Sequence, residues 1–213
     1  MIDLHTHSLL SDGELLPGEL ARRYEVKGFK ALAITDHADF SNLEPVVKSI
    51  VKFCQLWPED RIQVFPGVEL THLPLNQFKD AVLYAKENGI KVVIAHGETI
   101  SEPVIAGTNR AALEAGVDIL SHPGFISEQD VKLAAKKKVF LEISARKGHC
   151  LCNGHVVRLA LKFKAALCVN SDSHSPDDIP SLDYFTKVCL GAGLEKTYLA
   201  EMNKKIAHFL KFR

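Results

Sequence analysis

Two histidines near the start of the chain have the spacing of a metal-binding pair. They stand in Asp3-Leu4-His5-Thr6-His7, which is followed by Ser11-Asp12-Gly13. Side chains alternate along a β-strand, so His5 and His7 are expected to project from one face and to reach a common ion. Asp12, in a turn marked by a glycine, can fold back as an oxygen ligand. The spacing indicates a site for a divalent cation.

The elements that must position this pair are alternating strands and helices. Short apolar runs such as Phe29–Thr35 have the composition of strands buried on both faces, and the spacing of apolar residues over 43–57 is helical. Seven strand–helix units fit the chain. Such alternation predicts parallel strands joined by right-handed crossovers, and seven or eight of them can close into a barrel.

The predicted strands are an opening strand that ends at His7, then 29–35, 62–68, 91–95, 117–121, 139–144 and 166–170. The predicted helices begin at Leu16-Pro17 and then cover 43–57, 77–88, 108–115, 127–134, 155–163, 182–190 and 196–212. In a parallel barrel, reacting groups come from the C-terminal ends of the strands and from the loops after them.

Histidines and acidic residues follow nearly every predicted strand. If these side chains crowd at one mouth of the barrel, their repulsion and loss of hydration would destabilise the folded state by several kcal/mol. Bound divalent cations would remove this cost. The mixture of nitrogen and oxygen ligands favours Zn, Mn or Fe over Mg or Ca, and there are enough groups for two or three ions. The predicted ligands are His5, His7, Asp12, His37, Glu69, His96, His122, Asp172 and His174.

Composition narrows the class of protein. The chain of 213 residues has no Pro/Gly/Ser-rich linker, which favours a single domain that spans residues 1–213. Its 26 basic residues balance its 26 acidic ones. No basic stretch is suited to holding a polynucleotide by charge, and no apolar run is long enough for a membrane span. Five scattered cysteines and the lack of an apolar signal segment predict a cytoplasmic protein without disulfides.

The ordered motifs resemble those of the polymerase and histidinol phosphatase (PHP) superfamily. Besides the first motif they are Thr35-Asp36-His37, Gly67-Val68-Glu69, Ala95-His96-Gly97, Ser121-His122-Pro123-Gly124 and Ser171-Asp172-Ser173-His174. The resemblance implies a distorted seven-stranded βα barrel with a two- or three-metal phosphoesterase site. It assigns His5, His7, Glu69 and Asp172 to one ion, Glu69, His96 and His122 to a second, and Asp12, His37 and His174 to a third.

A hydroxide shared by two such cations is nucleophilic at neutral pH, which predicts hydrolysis of a small phosphorylated substrate. Asp172 or His174 can supply a proton to the leaving group. Arg146 and Lys147, after the sixth strand, and Arg110, at a helix start, are predicted to bind phosphate.

Four functions fit these residues. A phosphomonoesterase acting on a histidinol-phosphate-like compound is preferred. A nuclease or nucleotide phosphoesterase would use the same metals, although the balanced charge disfavours polynucleotides. A non-catalytic PHP module would have lost its metals, and the intact ligand set argues against it. An amidohydrolase commonly has a bridging lysine at a strand end, whereas Lys91 begins its strand.

Overall fold

The computed structural model describes residues 1–211, which form a nearly closed parallel barrel. Seven strands lie side by side in the order β1-β2-β4-β5-β6-β7-β8, and the short β3 pairs with β4. The strands are β1 Ile2–Asp3, β2 Ala31–Ile34, β3 His37–Ala38, β4 Gln63–Leu70, β5 Val92–His96, β6 Ile119–Ser121, β7 Phe140–Ser144 and β8 Leu167–Asn170. The predicted seven-stranded α/β barrel is confirmed.

The first and last strands meet just beyond their regular ends. Thr6 and Ser173 form a parallel bridge. The His7 amide donates to the Ser173 carbonyl at 2.9 Å, and the Asp172 amide donates to the His5 carbonyl at 2.9 Å. The segment around His5 and His7 was predicted to be strand, but regular pairing of β1 ends at Asp3. These hydrogen bonds hold the same backbone against the segment that follows β8.

The helices surround the barrel and follow the predicted alternation. They are α1 Pro17–Val26, α2 Leu43–Leu56, α3 Phe78–Glu87, α4 Thr108–Ala115, α5 Glu128–Lys137, α6 Asn153–Phe163, α7 Leu182–Gly191 and α8 Tyr198–Leu210. The predicted bounds of α4 agree with the structure, and Phe212, the predicted end of the last helix, lies outside the described residues. Over residues 1–211 no helix combines the length and the apolar character needed to cross a bilayer.

Alternate residues along the strands explain why one end of the barrel is polar. Val92 and Ile94 belong to an apolar cluster that also includes Ile206 of α8, and His96 is the next residue on their face of β5. Likewise Phe140 is followed on its face by the buried Glu142. Each fully buried aliphatic side chain contributes roughly 1.5–3 kcal/mol to folding. The apolar cluster therefore supports the strands whose C-terminal ends bear the polar groups.

Candidate metal centre

The predicted ligands converge at the C-terminal mouth of the barrel. Glu69 lies near the end of β4, His37 on β3 and His96 at the end of β5, and the others lie in loops after strands. A cleft of about 500 Å³ at this mouth is lined by Asp12, His37, His96, Asp172 and His174, with Arg146 and Glu102 beside them. Parallel strands thus bring together side chains that are far apart in the sequence.

The Glu69 carboxylate is at the centre of the cluster. Its Oε1 lies 3.2 Å from His5 Nε2 and 3.6 Å from His122 Nε2, and its Oε2 lies 3.6 Å from His7 Nε2. The Ser121 hydroxyl donates to Oε1 at 2.7 Å and fixes the side chain. Burial opposes ionisation of Glu69, but the charges of nearby imidazoles hold its pKa well below the usual range. His37 Nδ1 lies 2.9 Å from Oε2, and a buried carboxylate facing four imidazoles is suited to bridging two cations.

Asp172 is a second buried carboxylate, and it faces the same Nε2 atoms of His5, His7 and His122. Its Oδ1 lies 3.3 Å from His7 Nε2 and 3.7 Å from His5 Nε2, and its Oδ2 lies 3.7 Å from His122 Nε2. Burial and the neighbouring carboxylates raise the pKa of Asp172 to about 7, against the opposing charge of His5. Asp172 also has a positive φ of 55°, which favours glycine, so the loop holds it at some conformational cost.

An outer group of four side chains lies nearer the solvent. Asp12 Oδ1 is 3.4 Å from His174 Nε2, 3.8 Å from His37 Nε2 and 4.0 Å from His7 Nδ1. One ligand atom from each of the four lies within 4.8 Å of all the others. This is the set implied for a third ion, with His7 added. The side chain of Asp12 is 58% exposed, so this group is open to the cleft.

Unpaired polar atoms provide a test of whether these residues fit a metal. Among residues 1–211, the buried nitrogens without a hydrogen-bond partner are His5 Nε2, both ring nitrogens of His7, and Nδ1 of His96 and of His122. Such atoms are costly unless a ligand satisfies them. Burial and neighbouring histidines lower the pKa of His7 and His122 well below the usual range, so both rings are neutral, as metal ligands must be. Against burial, nearby carboxylates raise the pKa of His5, His37 and His96, so these rings would release a proton when a metal binds. The residues present fit divalent cations.

His96 departs from the predicted grouping. Its Nε2 lies 3.0 Å from Oε2 of Glu102, in the segment between β5 and α4. Within the described part of the chain, His96 belongs to none of the compact groups that could hold a metal, although its ring lies 4.5 Å from that of His122. Sequence reasoning placed Glu102 in a loop and missed its contact with the site, because no periodicity indicates which way a loop side chain turns.

The three predicted phosphate-binding residues are placed differently. Arg146 reaches the cleft, where its Nη1 donates to the Asp172 carbonyl at 2.8 Å and lies 2.7 Å from His174 Nδ1. Lys147 is exposed and lines an adjoining cavity of about 440 Å³. Arg110 is not brought to the metal cleft: it pairs with Asp130 and lines a separate cavity. Only Arg146 lies against the predicted metal ligands.

Glu142 holds His5 from beneath the site. Its Oε2 accepts a hydrogen bond from His5 Nδ1 at 2.8 Å and one from Asn170 Nδ2 at 2.9 Å, and all three residues are buried. With a proton held on Nδ1, Nε2, which faces Glu69 and Asp172, is the His5 nitrogen available to a cation. A carboxylate in this position fixes the ring and increases its basicity toward a metal.

Replacing Glu142 with glutamine is expected to lower metal affinity by about 10- to 100-fold without emptying the other positions, because the amide is neutral but similar in shape. Isothermal titration of the metal-free protein measures this. Glu98→Gln is the matched control, since the Glu98 carboxylate accepts from the amides of Gly107 and Asn109 at the start of α4. Equal affinity in wild type and Glu142→Gln would contradict the positioning role.

A buried network below the site ties β1 to the loop that bears Asp172. The Tyr24 hydroxyl donates to Asp3 Oδ2 at 2.9 Å, and it accepts from the hydroxyls of Ser171 at 2.8 Å and Ser173 at 2.9 Å. Burial raises the pKa of Asp3 to about 6, against these hydrogen bonds. Sequence reasoning missed this role of Tyr24, because helical spacing does not indicate which polar groups a buried hydroxyl will reach.

Tyr24→Phe is expected to reduce the free energy of unfolding by about 1–3 kcal/mol, because the buried partners of the hydroxyl lose a hydrogen bond. Urea denaturation of the metal-free protein measures the loss. Tyr84→Phe, on the outer helix α3, provides the same substitution away from the network. A change of less than about 0.5 kcal/mol in Tyr24→Phe, the range of ordinary surface substitutions, would show that the network adds little to stability.

Comparison with known families gives one domain match. The profile of the PHP domain matches residues 3–101. This span contains five of the predicted ligand positions on the N-terminal side, namely His5, His7, Asp12, His37 and Glu69, together with His96 at the end of β5. The ligands after β6 and β8 lie beyond the matched span.

Two curated relatives align with most of the chain. An uncharacterized protein of Methanocaldococcus jannaschii is 40% identical over 214 residues, which cover 98% of this chain and 96% of that protein. The DNA polymerase/3'-5' exonuclease PolX of Bacillus subtilis is 25% identical over 193 residues, which cover 81% of this chain. The alignment spans only 34% of PolX, about a third of its length.

Solved structures share the barrel at low sequence identity. Histidinol phosphate phosphatase from Lactococcus lactis, in complex with zinc, L-histidinol and phosphate, has a TM-score of 0.60 at 18% identity, covering 91% of this chain and 94% of that one. A chain in archaeal ribonuclease P with mature tRNA has a TM-score of 0.68 at 20% identity. The match covers 100% of this chain and 90% of that one. At these identities the likeness concerns the fold alone.

Proposed function

The chain belongs to the PHP superfamily, and on that premise we propose that it is a metal-dependent phosphoesterase that hydrolyses a small phosphomonoester. The observation that carries the proposal is the group of buried, unpaired imidazole nitrogens around Glu69 and Asp172. The barrel shared with a histidinol phosphate phosphatase supports a histidinol-phosphate-like compound as the first substrate to test.

Two cations would be held by Glu69 and the side chains around it, namely His5, His7, His96, His122 and Asp172. When bound, such cations supply a nucleophile at neutral pH and neutralise charge on the phosphoryl oxygens. The ligand types favour Zn²⁺, Mn²⁺ or Fe²⁺. Asp12, His37 and His174 would hold a third.

Arg146 is proposed to bind the phosphoryl group from the side of the cleft. Its side chain is 31% exposed and its Nε lies 3.8 Å from Asp172 Oδ2, so the guanidinium is already held at the edge of the site. Asp178 Oδ2, 3.9 Å from Nη1, supports it from the outer side. A planar guanidinium with several N–H donors matches the geometry of a phosphate.

His174 has two mutually exclusive roles, decided by its protonation state. Its Nδ1 lies 2.7 Å from Arg146 Nη1 and 3.0 Å from the Asp172 carbonyl. As the imidazolium, with Nδ1 donating to the carbonyl, the ring can give its Nε2 proton to a leaving alkoxide and is left neutral. In the neutral ring with its proton on Nδ1, Nε2 has a free lone pair for the outer cation. Asp172 is the second candidate for the proton.

The proposal is tested by elemental analysis of the purified protein and by a panel of substrates. The panel contains histidinol phosphate, other phosphomonoesters, mononucleotides and a phosphodiester. We expect two or three bound divalent ions per chain and hydrolysis of monoesters in preference to the diester. We also expect His96→Ala and His122→Ala to lose activity. Phosphatase activity that survives both substitutions would contradict the proposed site.

Arg146→Lys is expected to raise KM for the monoester by about 10- to 100-fold, the equivalent of one or two charged hydrogen bonds, because lysine cannot bind phosphate bidentately. Steady-state kinetics on the best substrate measure this. Arg158→Lys, on the exposed side of α6, is the matched control. An unchanged KM with a reduced kcat would instead assign Arg146 to positioning His174.

A nucleotide phosphoesterase or nuclease is the second candidate function. The alignment with PolX, named as a 3'-5' exonuclease, favours it, although that alignment covers a third of PolX. The net charge of zero provides no general attraction for a polynucleotide backbone. Diester cleavage faster than monoester cleavage would make this the better description. An amidohydrolase-type bridging lysine is not supported, because Lys91 is exposed and precedes β5, at the far end of the barrel.

A further inference from the structure

Two side chains outside the set implied by the family resemblance lie against predicted ligands, Glu102 against His96 and His149 against His122. Glu102 belongs to the segment between β5 and α4, and His149 begins a short 3-10 helix, His149–Cys152, after β7. Oε2 of Glu102 lies 3.0 Å from His96 Nε2, and its Oε1 lies 3.3 Å from His149 Nε2. One carboxylate therefore faces two imidazoles that come from different strands.

His149 is built into the site rather than resting on its surface. The residue is 7% exposed, and its ring stacks on that of His122 with centroids 4.1 Å apart. Its Nδ1 lies 2.9 Å from the hydroxyl of the buried Thr99. With Nδ1 bound there, Nε2 is the nitrogen that faces Glu102.

The separations match those within a metal's ligand shell. Zinc lies about 2.0–2.2 Å from nitrogen and oxygen ligands, so neighbouring ligand atoms in a tetrahedral or octahedral shell are roughly 3.0–3.5 Å apart. The contacts of Glu102 at 3.0 and 3.3 Å fall within this range. Independently, one ligand atom from each of His122, His149 and Asp172 lies within 4.8 Å of the other two, and all three residues are buried.

A buried atom that lacks a partner points to a ligand at the same place. His122, whose side chain is 1% exposed, has no hydrogen-bond partner on Nδ1 within residues 1–211, and its ring lies 4.5 Å from that of His96 and 4.1 Å from that of His149. Glu102 contacts Nε2 of both of these neighbouring histidines, so a buried imidazole with unmet bonding capacity adjoins two further imidazoles that share one carboxylate. Packing alone does not account for so many polar groups at a buried position.

We propose that His149 and Glu102 supply additional ligands to the cation held beside His122. Glu102 would then tie the segment between β5 and α4 to the metal and close one side of the cleft. An added imidazole selects for Zn²⁺, Co²⁺ or Fe²⁺ over Mg²⁺, which prefers oxygen ligands. The inference rests on the metal centre of the proposed function and is independent of the substrate.

The test is titration of the metal-free full-length protein with Zn²⁺ alone, in the presence of a competing chelator, together with the visible absorption of bound Co²⁺. We expect His149→Ala and Glu102→Gln each to weaken one class of sites by at least about 10-fold, a loss typical of a disturbed ligand shell, while the remaining sites keep their affinity. The Co²⁺ spectrum of His149→Ala should change because the coordination of the ion changes. No substrate is used, so absence of phosphatase activity would not affect this result.

Two matched variants serve as controls. His155→Ala removes a neighbouring histidine whose Nε2 bonds the Ile126 carbonyl, and Glu114→Gln removes an exposed carboxylate on α4. Glu102 is exposed, so Glu102→Gln keeps the proposal testable even if His149→Ala fails to fold. Unchanged affinity and spectrum in Glu102→Gln and His149→Ala would overturn the proposal. Tighter Zn²⁺ binding by Glu102→Gln would also overturn it, because the carboxylate would then compete with the cation.

Discussion

Glu69→Gln is expected to leave the barrel folded and to lower kcat/KM for the best phosphomonoester by at least about 10³-fold. The factor corresponds to the several kcal/mol that metal ions contribute to charge stabilisation in the transition state. Glu69 faces His5, His7 and His122 within 3.2–3.6 Å, so its charge affects more than one proposed metal position. Glutamine keeps the size of the side chain but cannot offer a charged bridging group.

Two measurements separate this effect from misfolding. Elemental analysis is expected to show fewer bound ions in Glu69→Gln than in wild type, while circular dichroism shows the same helix content. Glu14→Gln, an exposed residue near the same mouth, should keep both metal and activity. Activity within about 10-fold of wild type, with metal content unchanged, would remove Glu69 from the centre of the proposed mechanism.

The positions of the proposed ligands could be predicted because the pattern of apolar and polar residues in the sequence indicates which residues end the strands. Buried parallel strands are continuous apolar runs, so His96 was identified as the polar residue that closes one of them. The register of parallel strands then brings such residues to one mouth. Glu69 lies one residue before the end of β4, which extends to Leu70 instead of ending at Val68, and its side chain still faces the cluster.

Contacts made by loops could not be predicted in the same way. Arg110 was placed correctly at the start of a helix, but its guanidinium turns toward Asp130 of the next helix because that carboxylate is within reach. Glu102 turns inward from an exposed loop to His96. The strand β3, only His37–Ala38, was not predicted, because two residues are too few to show a period. Side-chain direction in such segments depends on tertiary partners.

Removal of divalent cations is expected to lower the free energy of unfolding of the wild-type protein. A metal that binds only the folded chain stabilises it by about 4 kcal/mol for each site when its free concentration is 1,000 times Kd. The physical reason is the set of buried imidazole nitrogens that find no partner within residues 1–211. Urea denaturation with excess Zn²⁺, compared with the same protein in chelator, measures the gain.

The His7→Ala variant measures how much of the increase in unfolding free energy caused by Zn²⁺ depends on the pair His5 and His7. Both ring nitrogens of His7 are buried and unpaired. The alanine substitution therefore destabilises the protein by removing packing contacts, but it also stabilises it by removing two buried polar atoms that water no longer solvates. We therefore expect its metal-free stability to stay within about 2 kcal/mol of wild type, while its gain from Zn²⁺ falls by at least half. His155→Ala should keep the full gain, because its ring bonds a backbone carbonyl away from the ligands. A His7→Ala protein that does not fold even with Zn²⁺ would show that His7 supports the barrel itself and does not merely hold a cation.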